Sequence, residues 1–85
     1  MQTPSLGRVV HVLVNPITNN GSDIAPATVV RVGPKHADGS WSVNLKADLD
    51  ASTTARWLTS VRLHADEETA RGYDGAAAFW PPRVR

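Results

Sequence analysis

Trp41-Ser42-Val43-Asn44-Leu45-Lys46-Ala47-Asp48-Leu49 alternates apolar and polar side chains without a break. Successive side chains of an extended chain point to opposite faces. Trp41, Val43, Leu45, Ala47 and Leu49 therefore form an apolar face, and Ser42, Asn44, Lys46 and Asp48 a polar one. The stretch reads as a half-buried β-strand. Its neighbours must then supply the other walls of one core.

Upstream, residues 36–40 have the composition of a tight hairpin turn, with Asp38-Gly39 at the centre. Thr28-Val29-Val30-Arg31-Val32 precedes it as a second strand, stopped by Gly33-Pro34. Arg8 to Val14 is rich in β-branched residues and bounded by Gly7 and Asn15-Pro16, so it reads as a strand buried on much of both faces. Residues 15–26, with Asn19-Asn20-Gly21-Ser22-Asp23 at their centre, read as a long exposed loop. Downstream, Asp50-Ala51-Ser52-Thr53 turns the chain. A fourth strand then places Trp57, Thr59, Val61 and Leu63 inward, opposite Arg56, Leu58, Ser60 and Arg62. Asp66 suits the N-cap of a short helix near residues 66–71, with Glu67 and Glu68 in its first turn and Gly72 ending it. Ala76-Ala77-Ala78 carries no pattern. The whole reads as all-β, a small SH3-like antiparallel barrel of 4–5 strands, with an OB-like barrel as the competing architecture.

The 85 residues make one domain, 1–85, with 79–85 as a docked aromatic and proline tail. Apolar residues at 41% and charged residues at 20% are those of a folded chain. The absence of cysteine excludes disulfides, thiol catalysis and thiolate metal sites. A core this small without such staples makes a homo-oligomer the expectation. No apolar run is long enough to span a membrane, and Met1-Gln2-Thr3-Pro4-Ser5 lacks the features of a signal peptide. A cytoplasmic setting is the default. Net charge is +1, so strong nucleic-acid binding is not expected, although seven of the nine cations are arginine and suit phosphate contacts.

Catalytic and metal constellations are missing. His11 reads as a packed histidine, His36 as a turn residue and His64 as a surface residue ahead of the helix. None has a serine in a nucleophile setting or a second ligand at metal-binding spacing. No catalytic residue, metal or cofactor is expected. Ser42, Asn44 and Lys46 are expected near Arg56 and Arg62 across the sheet, a cluster of donors suited to a phosphate or a base edge. The same face also reads as solvated, with Lys46 and Arg56 paired to Asp48 or Asp50. Trp41 and Trp57 fall on the inward side, whereas Trp80, followed by the stiff Pro81-Pro82 and by Arg83, must dock on its own barrel or on a neighbour.

Gly7-Arg8-Val9-Val10-His11, Trp57-Leu58-Thr59-Ser60-Val61 and Trp80-Pro81-Pro82-Arg83-Val84, in this order, resemble a family of short uncharacterised proteins of actinobacterial tailed phages. The resemblance covers nearly the whole length. The chain departs from the family pattern in its short first loop and its Ala-rich approach to the tail. The resemblance implies a phage accessory protein acting in the host cytoplasm. One expectation is a counter-defence sponge, an oligomer that sequesters a small anionic nucleotide signal. Arg8, His11, Asn44, Arg56 and Arg83 would supply its polar contacts, and Trp57 or Trp80 a stacking face. The alternative is an SH3-like interaction module that inhibits a host protein or serves in the virion.

Overall fold

A computed structural model describes residues 3–50 and 55–82. The turn expected at residues 50–53 lies largely outside them, as does Arg83. Five strands close into a barrel in the order β1-β2-β3-β4-β5: β1 Val9–Leu13, β2 Ile24–Lys35, β3 Trp41–Ala47, β4 Arg56–His64 and β5 Ala77–Phe79. Neighbours pair antiparallel from β1 to β4. β5 then closes the ring, antiparallel to β1 and parallel to β4. This is the all-β, SH3-like architecture, with α1 at Glu67–Arg71 as its one short helix among the described residues. Asp66 caps that helix, accepting from the Thr69 amide, and Gly72 ends it.

β2 is longer than the sequence suggests at both ends. The stretch 15–26 is not one loop, because Pro16–Thr18 forms a 3-10 turn and extended backbone resumes at Ile24. Pro26 is tolerated within β2 for a geometric reason. Its carbonyl accepts from the Asp48 amide, so its nitrogen faces the same side, beyond the last β2–β3 pair at Ala47. The one bond that proline cannot donate falls at the end of the ladder, where its loss is tolerated. Gly33-Pro34 does not stop the strand either, since it falls in an irregularity between Val32 and Lys35 where an N–H donor is not required. At Gly33 a Cβ would stand 2.9 Å from the Ser42 carbonyl oxygen, so β2 and β3 approach closely only over glycine.

Val10, Val12, Ala25, Ala27, Val29, Val43, Leu45, Ala47, Val61 and Leu63 fill the barrel, joined by Ala78 and Trp80. β1 is less buried than its composition suggests: Val10 and Val12 are core, but Val9 lies 53% exposed. Ala76 to Ala78 proves to be the approach to β5 and part of it. Ala77 and Phe79 pack outward beneath α1 with Ala70, Leu13, Ile24 and Tyr73, while Ala78 and Trp80 point into the barrel. Because β5 is covered on both sides, its residues show no alternation.

Trp80 docks on its own barrel. Its amide donates to the His64 carbonyl, and the Arg8 guanidinium lies 5.5 Å from its ring centroid. Burying an indole removes a large apolar area from water, and truncation would leave a cavity at the barrel end. Trp80→Ala is expected to cost about 3–5 kcal/mol, measured by urea unfolding. A loss under about 1 kcal/mol would show that the tail is not part of the core.

Candidate functional site

The site is built by one extra residue in β4. Val43 pairs with Val61 and Leu45 with Leu58, so two steps along β3 match three along β4. The surplus is taken up at Ser60, whose φ of 53° lies in the left-handed region. The Asn44 side-chain oxygen accepts from the Ser60 amide at 3.0 Å and holds the bulge. Beyond it the alternation reverses. Leu58 turns in against Leu45, Thr59 is exposed, and Trp57, expected inward, stands 64% exposed on the outside.

On the outer surface Thr28, Lys46 and Trp57 are directly opposite one another on β2, β3 and β4, and Val9 continues the row around the barrel. Side chains so placed have Cβ atoms about 5 Å apart. At the next outward position a β2 irregularity sets both Val30, 38% exposed, and Arg31 against Asn44. Arg56 pairs with Ala47 and is exposed at the barrel rim, adjacent in sequence to Trp57. Among the described residues no ion pair joins Arg31, Lys46 or Arg56 to an acid, so the expected pairing to Asp48 or Asp50 is not formed. Asp50 instead donates its amide to the Asn19 side chain and accepts from Asn20.

The structure thus scatters the residues expected to form one site. Arg56 and Trp57 are both exposed, but Arg56 pairs with the core residue Ala47 and so leaves β4 on the opposite side from Trp57, at the barrel mouth. Asn44 stands on the neighbouring strand, but its side-chain oxygen is committed to the Ser60 amide. Arg8 and Trp80 meet at the barrel end, with the indole buried. His11 is half-buried, edge-on to Phe79 at a centroid distance of 5.5 Å, as a packed histidine. Arg83 lies outside the described residues. Lys46 was legible as an outward cation, whereas Arg31 joins the group only through the β2–β3 register.

His64 is a correction, being 4% exposed rather than a surface residue. It lies behind a cavity of about 340 Å³ that is also lined by Asp38, Gly39, Ser40, Ala65 and Thr69. Asp38 accepts from the Ser40 amide and hydroxyl, and Ser40 accepts from Arg62. Ser40 therefore points at a carboxylate and a guanidinium, not at a base. Asp38 is held below the ordinary carboxylate value by the Ser40 hydroxyl. Burial pushes the His64 imidazole down, and Arg62 adds to this, while Asp38 and Asp66 oppose it. Its Nε2 has no hydrogen-bond partner among the described residues, and the ring lies 5.0 Å from that of Tyr73. In the connection between the 3-10 turn and β2, Asp23 is bound by Arg71, which also binds Glu67, at 2.7 and 2.8 Å, tying that connection to α1.

No protein-family model, curated protein or solved structure matches this chain.

Two predictions follow from these contacts. An L-residue with a branched Cβ is strained at the Ser60 backbone angle, whereas glycine is not. Ser60→Val should therefore be less stable than Ser60→Gly by about 1–2 kcal/mol in chemical denaturation; equal stability would remove the bulge as a constraint. For His64, the folded imidazole resists a proton that the unfolded chain accepts near pH 6.5. The unfolded state then binds more protons, so stability falls as pH drops below about 6.5 and continues to fall down to the depressed folded value. The paired aspartates lose their contribution only below the carboxylate range, so the windows separate. Thermal unfolding between about pH 7.5 and pH 5 should show a decline that His64→Phe flattens.

Proposed function

We propose that this chain is a non-enzymatic binding module, of the phage accessory type that its three motifs resemble, and that it holds an anionic nucleotide on the outer barrel face at Trp57. The observation that carries this reading is Trp57 itself, 64% exposed and in register with Lys46. A solvated β face has no need of an indole. Here the indole is turned outward by the bulge at left-handed Ser60, whose amide donates to the Asn44 side chain. An exposed indole offers a planar stacking surface, and Lys46, Arg31 and Arg56 supply positive charge around it.

The sponge expectation drew on both ends of the sequence. With Trp80 buried in its own barrel, support for a nucleotide ligand comes from the Trp57 face. The exposed Val9 at the end of the same row would also suit a protein partner. The local excess of cations, Arg31, Lys46 and Arg56 against Asp48, favours the anionic ligand.

Trp41 is half-buried and Trp80 buried, so Trp57 is the indole that a surface ligand reaches. Titration with ATP and with a cyclic dinucleotide should quench the tryptophan emission, with sub-millimolar dissociation constants. Trp57→Phe should abolish the quenching and leave the thermal stability near that of the parent. Unchanged emission and no calorimetric heat at millimolar ligand would reject the reading.

A further inference from the structure

Charge is segregated in this barrel to a degree that the net value hides. Among the described residues no strand contains an aspartate or a glutamate, while the strands carry Arg31, Lys35, Lys46, Arg56 and Arg62. Asp23, Asp38, Asp48, Asp50, Asp66 and Asp74 lie in connections, and Glu67 and Glu68 in α1. Two arginines on the acidic side are already engaged, Arg62 with Asp38 and Arg71 with Asp23 and Glu67. Arg31, Lys46 and Arg56 have no ion-pair partner among the described residues, and the nearest acid to them is Asp48, two residues beyond Lys46 on the same side of the chain.

The shape of this face selects among anions. Thr28, Lys46 and Trp57 span two inter-strand spacings, about 10 Å, across the outside of the barrel. Arg31 extends the group along β2, and Arg56 extends it toward the rim. The cavity at Asp38 and His64 lies away from these residues and is lined by none of them. A mononucleotide has one phosphate cluster and one base, so it reaches only part of the array. A flexible strand with a phosphate at every residue engages all three cations while one base lies on the indole. A duplex keeps its bases stacked on each other and offers none to Trp57. The geometry points to a single-stranded nucleic acid, its backbone tracking Arg31, Lys46 and Arg56, with one base stacked on Trp57 and the Asn44 amide nitrogen on the neighbouring strand as a hydrogen-bond donor. This rests on the reading of the Trp57 face as a nucleotide site, and specifies a polymer as its occupant.

Three phosphate contacts set a modest affinity with a defined salt response. For single strands each contact contributes about −0.7 to the slope of log K against log salt, so the expected slope is about −2. Binding of a short fluorescein-labelled oligothymidylate, followed by anisotropy, should weaken roughly twentyfold between about 0.05 M and 0.2 M salt. Arg31→Ala, Lys46→Ala and Arg56→Ala should each reduce the slope by about 0.7, while Lys35→Ala, toward the far end of β2, should leave it unchanged. Trp57→Ala should weaken binding by between about fivefold and a hundredfold, and Trp57→Phe should retain most of the affinity. Two comparison probes complete the experiment: thymidine monophosphate, and oligoglutamate of the same charge as the oligothymidylate. If the monophosphate binds as tightly as the oligomer, the polymer assignment falls and the nucleotide site stands. If oligoglutamate matches the oligomer with the same dependence on Trp57, the face takes acidic protein segments instead. If no nucleotide probe binds at low salt, both readings fall together.

Discussion

The hydrogen bond from the Ser60 amide to the Asn44 side chain fixes which way half of β4 faces. A barrel this small requires strongly bent strands, and a β-bulge supplies bending by adding a residue on one side of a ladder. The surplus residue must adopt a backbone angle that L-residues disfavour, and its amide loses its ladder partner. Asn44 answers the second problem from the neighbouring strand. The side-chain period of a strand is two residues, so one inserted residue exchanges inside for outside along everything beyond it. Leu58 fills the core in place of Trp57, and the indole is carried to the surface beside Lys46. The candidate site is thus a consequence of how the barrel is curved.

Closure solves a different problem. An open four-stranded sheet would leave β1 and β4 with bare edges and an uncovered end. Three residues of β5 pair with both. Small side chains at Ala77 and Ala78 let that strand pass between α1 and the barrel, and the flanking Phe79 and Trp80 supply the bulk on its two sides. The tail is therefore the keystone of the core. Without cysteine, this is where a chain of 85 residues finds burial that disulfides would otherwise replace.

Legibility in the sequence follows from these two devices. β3 was readable residue by residue because it has one wet face and one dry face. The capped helix was readable because Asp66, the two glutamates and Gly72 act locally. β5 was invisible because a strand covered on both sides has no alternation, and three alanines show no bulk to place it. The orientation of Trp57 was misread because Ser60 does not announce a left-handed angle as glycine would, and the stabilising acceptor lies 16 residues away in sequence. His64 was misread for a related reason: the Tyr73 ring and the Phe79 pairing that cover it come from 9 and 15 residues further along the chain. Of the candidate site, the Arg56–Trp57 pair was legible as chemistry, but its surroundings depended on register.

Net charge is the weakest guide to what such a barrel binds. A value of +1 describes equally a surface of alternating signs and one divided into two halves. Fields fall off within about a Debye length, near 8–10 Å at moderate salt, so an exposed ligand senses the charges within that distance. Nearest Trp57 those are Lys46, directly opposite on β3, and Arg56, adjacent in sequence, with Asp48 just beyond the end of β3 as the nearest acid. The acids that balance them stand on the loops and on α1, several of them already neutralised by Arg71 and Arg62. Arg71 draws Asp23 and Glu67 together, which consumes anionic charge where the long loop meets the helix. The same pairing that ties down the loop leaves the strand wall as the less compensated side of the molecule. Loop anchoring and the distribution of charge are linked here through one arginine.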